Sequence, residues 1–130
     1  MIRGLVSDVH FFCLQDNAAQ GLDAELLISS GARQTLHEEA VALSQANFEA
    51  PLIFDLCIDL FNRSDQWDTG ELWSDAEIAT FIEQMRPVIE QALIVTVSLS
   101  FGYSGSEADT RRLAALVLPR LEQWRSARHT

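Results

Sequence analysis

Asp8 and His10 stand two residues apart at the end of the apolar run "GLVSDVHFF", residues 4–12. On an extended strand two such side chains share a face about 7 Å apart, close enough for a carboxylate and an imidazole to serve one divalent cation. In "PLIFDLCIDLF", residues 51–61, Asp55 and Asp59 also share a face. Four positions place them about 13 Å apart, too far to share a metal ion or a proton. A third charged feature is residues 49–77, with eight acids (Glu49, Asp55, Asp59, Asp65, Asp68, Glu71, Asp75 and Glu77) against Arg63 alone, and with Trp67 and Trp73 among them. Aromatic anchors inside a charged rim have the composition of many protein interfaces. The plainer reading is that both rings fold back onto the protein, because large aromatics are mostly buried.

Catalytic motifs do not complete themselves. The Asp-x-His pair resembles the opening of metal-dependent phosphoesterases, and that resemblance implies a Gly-Asp pair, an Asn-His pair and later histidines. Neither pair occurs, and only His37 and His129 follow. The run "LIFDLCIDL" resembles the nucleophile strand of haloacid-dehalogenase-like phosphatases, which implies Asp-x-Asp-x-Thr beside magnesium. Cys57 stands where the second Asp would be. An EF-hand loop with Gly70 at its glycine would need ligands where Trp67, Thr69 and Ala76 stand. There is no Gly-x-Ser-x-Gly elbow and no Walker spacing. "SFGYSGSEAD" reads as a turn capped by Ser104 or Ser106, with Glu107 or Asp109 following. The chain is therefore expected to need no cofactor and leans away from being an enzyme.

The elements that must position these residues follow from periodicity. A two-residue period marks strands at residues 51–61, with Leu52, Phe54, Leu56, Ile58 and Leu60 on the core side, and at 92–103, with Leu93, Val95, Val97, Leu99, Phe101 and Tyr103 opposite Ile94, Thr96, Ser98 and Ser100. The opening run is a third strand, and residues 24–30 a fourth, paired with it as a hairpin across the turn formers of "QDNAAQG". Thr35 with Glu38, and Ser74 with Glu77, are capping boxes that open two helices. In the second, Ile78, Phe81, Ile82, Met85 and Ile89 form one apolar stripe, and Pro87 should kink or end it. A last helix from about Ser106 aligns Leu113, Leu116, Val117, Leu121 and Trp124.

The order β-β-α-β-α-β-α predicts an α+β fold: a two-layer sandwich of one mostly antiparallel or mixed sheet of about four strands, with three helices on one face. At 130 residues the expectation is a single domain, residues 1–130. The outer sheet face would display Asp8, His10, Asp55, Cys57, Asp59, Thr96, Ser98 and Ser100. The start is a poor signal peptide, no run spans a membrane, and Cys13 and Cys57 are not a C-x-x-C pair, so a cytoplasmic protein with reduced thiols is expected.

Charge orders the functional readings. Residues 1–110 hold 18 acids against 4 Arg, and residues 111–130 one acid against 5 Arg. An acidic body disfavours DNA and RNA, whose phosphates demand a basic surface, and favours a basic protein partner. The leading expectation is a small acidic, non-catalytic binding module, similar in size and charge to inhibitors of the immunity-protein kind, holding its partner through Asp65, Trp67, Asp68, Glu71 and Trp73. The alternative is a metal-binding or hydrolytic protein that brings Asp8, His10 and Asp55 together on adjacent strands. A third is a self-associating subunit, such as a homodimer, packing through Phe12, Ile53, Phe61 and Ile94.

Overall fold

The structure, a computed structural model, describes residues 7–12, 31–48, 51–64, 66 and 70–127. It divides the chain into two compact units, Met1–Ala46 and Asn47–Thr130.

In the first unit, β1 (Asp8–Phe12) and β2 (Arg33–His37) pair in parallel, with Asp8 opposite Arg33, His10 opposite Thr35 and Phe12 opposite His37. A short helix, α1 (Ala40–Ser44), lies against both strands. Thr35 is inside β2 instead of capping a helix, and α1 begins after Glu39, which makes no side-chain cap. The β-branched Thr35 suits a strand, and the partner strand decides between the two uses of the same letters. The strand expected at residues 24–30 lies outside the described residues. Parallel neighbours need a crossing connection of a dozen or more residues, and residues 13–32 separate β1 from β2.

The second unit runs β3 (Ile53–Cys57), a 3-10 turn (Ile58–Phe61), α2 (Asp75–Gln91), β4 (Ile94–Ser98) and α3 (Glu107–Ser126). β3 and β4 pair in parallel, with Ile53 opposite Ile94, Asp55 opposite Thr96 and Cys57 opposite Ser98. The expected single four-stranded antiparallel or mixed sheet is thus incorrect. The fold is α+β, but with two separate two-stranded parallel sheets and three helices among the described residues. The alternation of apolar residues fixes which face of a strand is buried, and it carries no information about strand direction or partner.

Phe54 and Leu56 face the core while Ile53 and Asp55 are exposed. Beyond Cys57 the period changes from two to three. In a 3-10 turn residues i and i+3 eclipse, so Ile58 and Phe61 both point inward and are fully buried. This corrects the placement of Phe61 on an outer sheet face. The α2 stripe is as expected: Ile78, Phe81, Ile82, Met85 and Ile89 are buried, and the Ser74/Glu77 capping box is formed. In α3, Ser106 and Asp109 make the second box, and Leu113, Val117, Leu121 and Trp124 are buried. Both helices continue past their prolines, α2 to Gln91 and α3 to Ser126. No helix among the described residues is long and apolar enough to cross a membrane.

The carboxyl end of α2 has no basic residue of its own in the last turn. Arg125 supplies one from α3, donating from Nη1 to the carbonyls of Ala92 (2.6 Å) and Ile89 (3.3 Å) and from Nη2 to that of Leu93 (3.1 Å). A cation here satisfies carbonyls that the helix leaves open and opposes the negative end of its dipole. Arg125→Ala should cost about 2 kcal/mol in urea unfolding, the usual scale for hydrogen bonds to a charged group, and Arg125→Lys should recover part of it. A loss under about 0.5 kcal/mol would show that water replaces the guanidinium at no cost.

Candidate functional site

At the carboxyl end of β4 the chain leaves the sheet through a loop that sequence alternation does not anticipate. Ser100 has φ 48°, Gly102 φ 87° and Gly105 φ 86°, three left-handed residues in six positions, which no strand tolerates. Hydrogen bonds fix the coil that results. The Tyr103 and Ser104 amides donate to the Ser100 carbonyl at 3.0 and 3.2 Å. The Ser104 hydroxyl, fully buried, lies 3.0 Å from the Leu99 carbonyl, 3.1 Å from that of Ser100 and 2.6 Å from the buried Thr110 hydroxyl on α3. This locked loop presents Phe101 and Tyr103, each 51% exposed.

Beside it lies a clasp in which residues 61–63 pair with residues 71–73. The Trp73 amide donates to the Phe61 carbonyl and the Arg63 amide to that of Glu71, both at 2.9 Å, and Asn62 faces Leu72 in an antiparallel bridge. Asn62 joins the clasp to the loop. It is buried, its Nδ2 donates to the Tyr103 carbonyl at 3.1 Å, and its Oδ1 accepts from the Ser64 amide at 3.0 Å. Gly70 makes the approach close: a Cβ there would meet Asn62 Oδ1 at 3.1 Å and the Gly105 Cα at 3.2 Å. Glu71 is exposed on the clasp and makes no ion pair among the described residues. Arg63, the one cation of the acidic stretch, is already engaged with Glu77 at 3.0 Å and lies 5.0 Å over the Trp73 ring.

The outer face of the β3/β4 sheet completes the surroundings. Thr96 donates to Asp55, the Cys57 thiol lies 2.7 Å from the Ser100 hydroxyl, and Ser98 is 3.3 Å from the same hydroxyl. Burial pushes the Cys57 thiol up, and the neighbouring Asp59 carboxylate acts in the same direction. A nucleophilic cysteine needs the opposite shift, so Cys57, free and half-buried, packs as a neutral thiol. No histidine occurs between residues 47 and 127 to serve these hydroxyls as a base. These side chains form a connected polar patch on the outer face of the sheet.

Of the residues singled out for partner binding, Asp65, Trp67 and Asp68 lie outside the described residues, and Glu71 is exposed on the clasp. Trp73 is a core residue, 8% exposed, edge to face with Phe61 at 5.2 Å and Phe81 at 5.8 Å. Its indole N–H is buried without a hydrogen-bond partner among the described residues. In the first unit Asp8 pairs with Arg33 at 2.8 Å, which holds its carboxyl below the usual range, and His10 meets His37. Asp55 belongs to the other sheet, and among the described residues no three His, Cys, Asp or Glu side chains are grouped to hold a metal ion. Phe12 is half-buried in the β1/β2 sheet, whereas Ile53 (61% exposed) and Ile94 (48%) are neighbours across the β3/β4 pair. Phe101 and Tyr103 escaped the sequence reading because they extend the apolar alternation of β4. The signal that marks them is Gly102 between them, followed by Ser104, Gly105 and Ser106. Such a run of turn formers ends a strand.

No known protein family, no curated protein and no solved structure matches this chain.

Proposed function

We propose that this chain is a non-catalytic binding module that holds a basic protein partner at the carboxyl end of β3 and β4. The observation that carries the reading is the pair of half-exposed rings, Phe101 and Tyr103, on a hydrogen-bonded loop joined through Asn62 to the acidic clasp. Rings held in place lose little conformational freedom on binding, and they accept both apolar contact and the cations of a basic surface. In the same unit, Glu71 on the clasp and the carboxylates of Asp59 and of Asp55, which accepts from Thr96, supply negative charge, while Arg63 is occupied within the chain. Charge of this kind speeds the encounter with a basic partner and selects against an acidic one.

The test is capture from lysate of the source organism by immobilised full-length protein, at low and raised salt, with Phe101→Ala/Tyr103→Ala and Glu71→Lys in parallel. A basic protein retained near one-to-one, released by salt and weakened at least about tenfold by the aromatic double variant, is the expected result. Undiminished retention by both variants would move the contact elsewhere.

A further inference from the structure

His10 Nδ1 and His37 Nε2 lie 2.9 Å apart. The ring centres are 5.2 Å apart and the planes 21° from parallel. The centre-to-centre distance exceeds the nitrogen separation by about two ring radii, so both nitrogens lie on the line between the ring centres. The rings therefore meet edge to edge and nearly coplanar, each nitrogen aimed at the other, with no face-to-face overlap. Two imidazole nitrogens in that arrangement are satisfied in one way: one carries the proton and the other accepts it. In the β1/β2 register His10 is opposite Thr35 and His37 opposite Phe12, so the contact runs diagonally across the sheet and ties the two strands through side chains.

The number of protons decides whether the tie survives. With one proton per ring, a neutral N–H···N bond bridges the strands. One further proton makes a cation beside a neutral ring and keeps the bridge, now charge-assisted. A second further proton turns both facing nitrogens into donors and places two positive charges at hydrogen-bond distance, and no bridge is then possible. The other charged groups among the described residues of this unit are Asp8, paired with Arg33 at 2.8 Å, and Glu38 and Glu39, which follow β2 in the chain. α1, the element packed against both strands, brings no titratable side chain.

We propose that the His10/His37 bridge is an acid-opened clasp on the β1/β2 pair, closed until the pair takes up its second extra proton and forced apart by it. Burial, and then the charge of His10, hold His37 below the ordinary histidine value, the direction required of the second step. The sign for stability follows. Between the ordinary value of about 6.5 and the lowered folded value, the unfolded chain binds more protons than the folded one. Stability of the pair is therefore full above that window and falls as pH drops through it.

The experiment is a titration of the full chain followed through the nitrogen resonances of the histidine rings, with His129 in the tail as internal reference. Protection of the β1 and β2 amides against exchange is read over the same pH range. The expected result is coupled titration of His10 and His37 in two steps separated by more than about one pH unit, with protection lost only at the second. In His37→Gln, which keeps a hydrogen-bonding group and cannot take the charge, protection should not fall across that range. His10→Gln repeats the test from the other strand. Independent single steps for both rings near the reference, or an unchanged loss of protection in both Gln variants, would overturn the proposal. The wild-type titration decides it even if a variant fails to fold.

Discussion

Phe61→Ala should remove about 3–5 kcal/mol from the stability of the second unit, the range for deleting a buried aromatic ring. Phe61 is fully buried, and its ring is held edge to face by Trp73 at 5.2 Å and Phe81 at 5.7 Å. Its carbonyl also accepts the Trp73 amide. Trp73 is fixed by the clasp and Phe81 by α2, so the walls of the resulting cavity have little freedom to collapse, which places the cost toward the upper end. Denaturant unfolding followed by tryptophan fluorescence is the measurement, because Trp67, Trp73 and Trp124 all belong to residues 47–130 and report that unit alone. Ile53→Ala serves as the contrast: Ile53 is 61% exposed and should change stability by no more than about 0.5 kcal/mol. If Phe61→Ala left stability intact and altered self-association instead, the unbroken alternation of residues 51–61 would be the correct reading and the 3-10 turn would not.

Where no distant strand competed for the same residues, local signals in this sequence were sufficient for local structure. The Ser74/Glu77 box and the apolar stripe of α2 are written within one segment, and the structure contains both. What failed were features that depend on distant residues. The two-residue period identified the buried face of β3, where Phe54 and Leu56 are core and Asp55 is outside, and in β4 it set half-buried Val95 and Val97 against exposed Ile94, Thr96 and Ser98. Period alone could not say that β3 pairs in parallel with β4 and that β1 pairs in a separate sheet with β2. At residues 33–37 a capping pattern and a strand competed for Thr35, and pairing with β1 won. The candidate site was legible only in its acidity. Its exposed rings depend on the left-handed turn at Ser100, a non-glycine residue whose conformation is imposed by the bonds that Ser104 makes around it.

The same loop yields the other large effect, at Gly105. Its φ of 86° costs an alanine roughly 1–2 kcal/mol. Space adds a second penalty, because a Cβ would meet Asp109 Oδ2 at 2.7 Å and Asp109 Cβ at 2.9 Å. That carboxylate closes the cap of α3, accepting from the Ser106 amide and hydroxyl at 2.9 Å each. Displacing it removes an N-terminal cap as well, typically about 1 kcal/mol. Gly105→Ala should therefore cost about 2–4 kcal/mol in total. Gly102→Ala separates the two contributions: its φ is 87°, and a Cβ there meets nothing within 4 Å, so it should show the backbone penalty alone. The cap also carries a pH signature. The Ser106 amide and then its hydroxyl hold the Asp109 carboxyl below the ordinary value, so its contribution is present above the unfolded carboxyl range and is lost as pH falls through the folded value. Gly105→Ala should flatten that acid-side loss and Gly102→Ala should keep it. Equal costs and equal acid profiles for the two variants would mean that Asp109 moves aside freely and that the cap adds nothing to the fixing of the loop. If instead the costs differ as expected, the geometry that holds Phe101 and Tyr103 in place rests on Gly105 and Asp109. Gly105→Ala should then weaken partner capture even though it touches neither ring.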